Sequence, residues 1–280
     1  MTSASPTTWR RFAEHPAAVA SLVLLALAAL WAASAPWVFQ EDAFAMVGQP
    51  FLWPGADPRF PLGTDSFGRD ILVGLVYGAR VSLMVGLAAA GLSSALGIAI
   101  GLAAGYFGGW VDHVLMRVTE LFQTMPSLIF VITIVAIFKP TITSIVLAIG
   151  LTSWPQTARL IRAETLRVRA SEYIAAAFAL GLSSPHIVWR HILRNVISPA
   201  IVTATILAGT AILTEAGLAF LGLGDPNVMS WGSMVGAGRQ VLRTAWYITA
   251  IPGCAIVLTV AAITAIGNGV SLVLNPNTDI

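Results

Sequence analysis

Few side chains in these 280 residues are of the types that make or break bonds. Glu215 is the one acid inside a stretch that reads as membrane-spanning, and an intramembrane carboxylate suggests a proton relay or a substrate ligand. A relay needs partners, and no other acid or histidine stands inside such a stretch except at its ends. The competing reading is a carboxylate near the outer boundary that hydrogen-bonds neighbouring helices. His186 and His191 are five apart, which on an α-helix sets them on different faces, so docking or interfacial roles are expected and a metal site is not. Asp65 and Asp70 sit with Gly63, Gly68 and Arg69; catalysis by paired carboxylates would need a pocket that a short loop is not expected to build, which leaves capping and a local ion pair. Cys254, the single cysteine, lies in an apolar run and reads as packing. The sequence has no G-x-x-x-x-G-K phosphate loop, no serine-glycine elbow and no H-E-x-x-H pair. The chain is therefore expected to be non-catalytic, with neither metal nor cofactor of its own.

The elements that must position these residues are membrane helices. With 57% hydrophobic and 10% charged residues, the composition excludes an ordinary water-soluble domain, and the basic residues lack the interleaved aromatics of a nucleic-acid surface. Uncharged runs at 16–40, 81–111, 121–138, 140–158, 195–214 (continuing past Glu215 to 224) and 244–278 are long enough for about 30 Å of hydrocarbon. This predicts an all-α, polytopic bundle of about six transmembrane helices. Ala33-Ser34-Ala35 resembles a signal-peptide cleavage site, but the first run is longer than the usual h-region and further spans follow, so an uncleaved helix is expected.

An even number of spans places both termini on one side. That side would hold Arg10, Arg11, Arg117 and the six arginines between 159 and 194, nine in all, against six basic residues on the other, so it is expected to be cytoplasmic. The segment from Glu41 to Tyr77, with four prolines, then reads as an extended outer surface loop. Gly222 to Arg243 reads as a second outer loop, with Trp231 at the membrane interface.

Between the cytoplasmic arginines lies the slim run Ala175-Ala176-Ala177-Phe178-Ala179-Leu180-Gly181. Glu172 to Leu180 are helix formers, and Gly181 suits a left-handed stop. Ser184 is placed to cap a second short helix that begins with Pro185. Two short helices with a tight joint can enter a groove on another protein; composition alone leaves open a solvated loop held at the lipid surface by its arginines. On the second span Ser93, Gly97, Gly101 and Gly105 are four apart on one face, a spacing that lets two helices approach closely, within the bundle or across a subunit seam. Pro126, Pro155, Pro199 and Pro252 predict kinks.

Several segments together resemble the inner-membrane permease subunits of dipeptide, oligopeptide and nickel ABC transporters. Pro61 to Asp70 (PLGTDSFGRD) is similar to that family's L-G-T-D-x-x-G-R-D, and Gly78 to Leu83 continues the match. Thr214 to Gly224 (TEAGLAFLGLG) is similar to its E-x-G-L-S-F-L-G-L-G, and Ser230-Trp231-Gly232 to its S-W-G. Ala175 stands where the cytoplasmic E-A-A-x-x-x-G motif has glutamate; Arg190 to Asn195 is similar to R-H-I-L-P-N, with Arg194 in place of proline. Gly267-Asn268-Gly269 stands where G-D-G is common and Asn275-Pro276 where D-P is.

The resemblance implies a type I importer permease fold: residues 1–79 forming a tail, first helix and outer loop, 80–274 a permease core with its coupling loop at about 163–195, and 275–280 a tail. It implies a multi-pass protein of the inner membrane with both termini cytoplasmic, forming half of a translocation path. The implied partners are a second, homologous permease, two ATP-binding subunits that hold ATP and Mg, an extracytoplasmic solute-binding protein and the lipid bilayer. Docking to the ATPase would fall to Ala175, Ala176, Ala177, Phe178, Gly181, Ser184, Pro185, Arg190 and His191; Asp65, Gly68, Arg69, Asp70 and Trp231 would face the binding protein. Peptides are the implied cargo, nickel or another small solute the alternative. A self-sufficient secondary transporter would show more polar groups within the membrane or interrupted helices in matching halves, and an intramembrane enzyme would show a catalytic set that is missing.

Overall fold

The computed structural model describes residues 15–39 and 41–274; Arg10, Arg11 and Asn275-Pro276 lie outside them. Its helices are α1 (Pro16–Val38), α2 (Ile71–Phe107), α3 (Gly109–Thr124), α4 (Ser127–Phe138), α5 (Ile142–Arg169), α6 (Glu172–Ala179), α7 (Ser184–Phe220), α8 (Trp231–Gly238) and α9 (Tyr247–Leu274). Among the described residues the only bridges of β type are isolated pairs, Met46 with Arg69 and Thr64 with Asp70.

Helices α1, α2, α7 and α9 are each long and apolar enough to cross a bilayer. The pair α3 and α4 makes a fifth crossing if it is taken as one broken span, bent by 85°. The break falls at Met125-Pro126: the proline ring disfavours helical geometry in the residue before it, and Met125 is extended at φ −84°, ψ 132°. Helix α5 has the length, at 28 residues, but Thr152, Ser153, Gln156 and Thr157 dilute its apolar character, so the expected sixth crossing rests on that helix. The other prolines behave differently from Pro126: α5, α7 and α9 run through Pro155, Pro199 and Pro252 without interruption.

The second helix begins ten residues before the uncharged run that announced it, because Asp70 caps it by accepting from the Leu72 N–H at 2.7 Å. Arg80 is exposed on the helix surface, and the expected division at residue 80 falls inside α2. The loop before it is correspondingly shorter than Glu41 to Tyr77. Charge marks where hydrocarbon stops, not where a helix stops.

Helices α2 and α5 lie side by side in the same direction, and the small-residue face of α2 is the seam. A Cβ at Gly101 would stand 2.5 Å from the Ala158 carbonyl oxygen, and one at Gly105 2.7 Å from the Thr165 Cβ; Gly97 abuts Thr157, and Ser93 is buried. Helix α7 returns antiparallel to them, and Val85, Ala89, Ile145, Ile149, Ala211 and Leu218 form a core where α2, α5 and α7 meet. Helix α1 packs outside, against α9, with Ala18 on Val273. The first and last described helices therefore begin and end at the same end of the bundle as α6.

Candidate functional site

At that end α6 is a single exposed spur of eight residues. It stops as its sequence dictates: Gly181 takes φ +78°, its N–H donates to the Phe178 carbonyl at 2.9 Å, and the Leu182 N–H reaches back to Ala177 at 3.2 Å. That pair of bonds is a Schellman stop. Ala175, Ala176, Phe178 and Leu180 are exposed, whereas Ile174 and Ala177 turn inward onto Ile187, Ile192, Val196 and Ile161. Ala177 is thus a root of the spur, not part of its outer face.

Two expectations about the joint are corrected. Ser184 is not the cap; Ser183 is, in extended geometry (φ −68°, ψ 146°), and Pro185 occupies the second position of the helix. Nor is there a second short helix. Ser184–His186 passes through a π turn, Ile187–Ile192, straight into the membrane portion of α7. The wider turn brings residues five apart over one another, so His186 and His191 share a side after all, with ring centroids 5.8 Å apart. The His191 ring also neighbours Tyr173 of the spur at 6.4 Å. Asn195 clips spur to helix, donating from Nδ2 to the Tyr173 hydroxyl at 3.1 Å and to the His191 carbonyl at 2.6 Å. Arg190 is exposed on the same turn. The spur is therefore joined to α7 through packed side chains and one amide.

At the opposite end the PLGTDSFGRD segment is a clasp. Asp65 accepts from the N–H groups of Phe67 (2.8 Å) and Arg69 (2.9 Å) through one oxygen. Gly68, at φ +76°, lies against the Gly48 carbonyl, where a side chain would not fit. Thr64 is fully buried and its carbonyl accepts from the Tyr247 hydroxyl at 3.2 Å, tying the loop to α9. The expected ion pair is replaced by stacking: the Arg69 guanidinium lies 5.0 Å from the Phe44 ring centroid and 4.7 Å from that of Phe67. Asp65, Arg69, Asp70 and Asp225 line one cavity of about 170 Å³. Burial raises the Asp70 carboxyl above its ordinary range, opposed by the backbone N–H groups of Leu72 and Val73.

Trp231 is not on the outer surface. It is 3% exposed: its indole N–H donates to the Leu75 carbonyl at 2.8 Å, and its backbone N–H to the buried Ser82 hydroxyl at 3.2 Å. The reason lies in the segment before it, where Ser230 both caps α8 and donates to Glu215 Oε1 at 2.7 Å. Gly232 lies flat on α7, its missing Cβ leaving room for the Ala216 Cα. Two motifs noted separately in the sequence, TEAGLAF and SWG, are thus one packed joint near the C-terminal end of α7. Glu215 lies in that joint, 1% exposed. Among the described residues no cluster of three or more potential metal ligands occurs.

Residues 97–280 match the family described as the binding-protein-dependent transport system inner membrane component, and residues 5–54 match the N-terminal TM domain of oligopeptide transport permease C. A putative peptide transport system permease protein of Brucella abortus is 41% identical over 271 residues, covering 96% of this chain and 90% of that one. The oligopeptide transport system permease protein OppC of Escherichia coli is 39% identical, covering 95% and 89%. The di/tripeptide transport system permease protein DppC of Pseudomonas aeruginosa is 35% identical, covering 96% and 90%. Among solved structures, inward-facing conformations of the MetNI methionine ABC transporter share the fold, with a TM-score of 0.60 at 16% identity over 73% of this chain and 97% of that one.

Proposed function

Because the chain belongs to the family of inner-membrane components of binding-protein-dependent transport systems, we propose that it is the peptide-carrying permease subunit of an ATP-driven importer, supplying half of the translocation path. What carries the reading is the match to peptide permeases along nearly the whole chain, together with the exposed spur at the end of a long helix. A second, homologous permease supplies the other half of the path. Two ATP-binding subunits hold ATP and Mg and grip the spur through Ala175, Ala176 and Phe178; an extracytoplasmic binding protein delivers peptide at the clasp. The chain itself performs no chemistry. Both termini and the spur are cytoplasmic, and 80–274 is the working core.

The mechanical role follows from the joint. Closure of the ATPases pushes the spur, and the Tyr173–Asn195 clip and the Ile174 root carry the push into α7 without a flexible linker. The test is uptake by the assembled importer in liposomes. Ala176→Arg overfills the gripped face, and Gly181→Trp forces a side chain onto a left-handed backbone; each is expected to abolish ATP-dependent peptide uptake while the chain still inserts. Uptake by the chain alone, with no ATP-hydrolysing partner, overturns the proposal.

A further inference from the structure

Where α3 breaks from α4 the bundle opens a cavity of about 530 Å³ against α5 and α7. Its polar lining is Gln123, Ser127, Thr152, Ser153, Gln156 and Thr210, continued by Thr214, and no lining residue is charged. Its depth follows from helix rise. Gln156 is about 21 Å along α5 from Ile142, and Thr210 about 15 Å along α7 from Phe220, both well inside roughly 30 Å of hydrocarbon.

These groups cannot face lipid. Gln123, Ser127, Gln156 and Thr210 are exposed, and a carboxamide exposed to acyl chains has nothing to bond to. The faces that do meet lipid have a different composition: Leu27 and Leu30 on α1, Leu87 on α2, Val257 and Leu258 on α9. The polar face is also why α5 is less apolar than the other long helices.

We infer that this wall, centred on Gln156 and Thr210, is where the permease touches its cargo, and that it holds the peptide main chain and not the side chains. The inference rests on the proposed function and adds the residues and the recognition chemistry. Thr152, Thr210 and Thr214 donate their hydroxyls back to the helix, to Ala148 (2.9 Å), Leu207 (2.9 Å) and Thr210 (2.8 Å), which leaves oxygen lone pairs for a peptide N–H. Gln123 accepts from Arg159 at 3.0 Å through Oε1, which leaves its NH₂ to donate to a peptide carbonyl. Gln156 offers one group of each kind. Every residue of a peptide except proline presents the same N–H and C=O, so an uncharged wall with both donors and acceptors passes peptides of differing side chains. Charged groups begin at the edge of the wall, with the Arg159 that bonds Gln123, and continue into the neighbouring cavity that Arg159, Arg162, Asp112 and Glu120 line.

The test uses the complete importer in liposomes: both permeases, the ATPase subunits and the binding protein. Wild-type ATP-dependent peptide uptake is the check on the functional reading; if it is absent, that reading fails and the wall is not at issue. Given uptake, Gln156→Leu and the near-isosteric Thr210→Val are each expected to slow it by up to about tenfold, the loss of one hydrogen bond. Gln156→Glu is expected to shift relative uptake severalfold toward lysine-containing and away from aspartate-containing tripeptides, a change that a purely structural residue would not produce. Unchanged rates with unchanged selectivity in an active assembly overturn the inference. So does release of the second permease from the purified variants, which would make this wall a seam between subunits.

Discussion

A methyl group added at Gly101 would meet the Ala158 carbonyl oxygen at 2.5 Å and the Ile161 Cβ at 2.8 Å, atoms that cannot swing aside, whereas at Gly91 of the same helix nothing lies within 4 Å. Gly101→Ala is therefore expected to destabilise the protein by roughly 1–3 kcal/mol. Gly91→Ala should stabilise it by up to about 1 kcal/mol, since alanine is the better helix former. Thermal unfolding of the detergent-purified assembly should move in opposite directions for the two; a shared direction would mean that the α2–α5 seam does not limit stability. The seam was legible because a repeat of four is a property of one helix. Its partner was not, since nothing in Ser93 to Gly105 names α5. Glu215 was legible as an acid out of place, but its contact with Ser230 was not, because that bond closes across a loop of irregular backbone.

At the scale of elements, the π turn decides how the spur is aimed. No glycine or proline in Ile187 to Ile192 marks an i→i+5 turn; the one trace is that Ile187 and Ile192, five apart, are both buried, a spacing that an α-helix sets on different faces. The two histidines were misplaced for that reason alone. Trp189 is 73% exposed, so deleting it removes one residue from the wide turn without emptying the core. The deletion is expected to restore α geometry with little change in the spur's direction, since five α residues sweep about as far as six in the wide turn, whereas an alanine inserted beside Trp189 is expected to turn the spur by about 100° relative to α7. With the insertion, ATP hydrolysis by the assembled importer should no longer drive uptake, although the chain inserts; full uptake would show that the direction of the spur has no part in coupling. Helix α2 teaches a related lesson. Its start at Ile71 is set by the Asp70 cap, a local signal that the run of uncharged residues overrode in the sequence reading.

For the whole molecule the claim with the widest reach is sidedness. With Cys254 replaced by serine, a cysteine at Asp57 should react with an impermeant thiol reagent in intact cells, while one at Leu180, 82% exposed on the spur, should react only after permeabilisation. The reverse pattern would invert the topology. The class of the protein and most of its helices were legible because hydrocarbon imposes length and apolarity on each crossing separately. What stayed hidden were features that arise between crossings, the burial of Trp231 and the polar wall beside Gln156; of the 85° break, its place at Pro126 was legible but its angle was not. The pairing of α1 with α9 bears on how the chain is made. Of the described helices, the first to be made packs on the last, so that contact forms late, and until then α1 has only α2 beside it. A segment with so few early contacts has to be content in lipid, and Pro16 to Val38 carries no charge and, at a mean hydropathy of 2.2, is the most apolar of the four long helices α1, α2, α7 and α9.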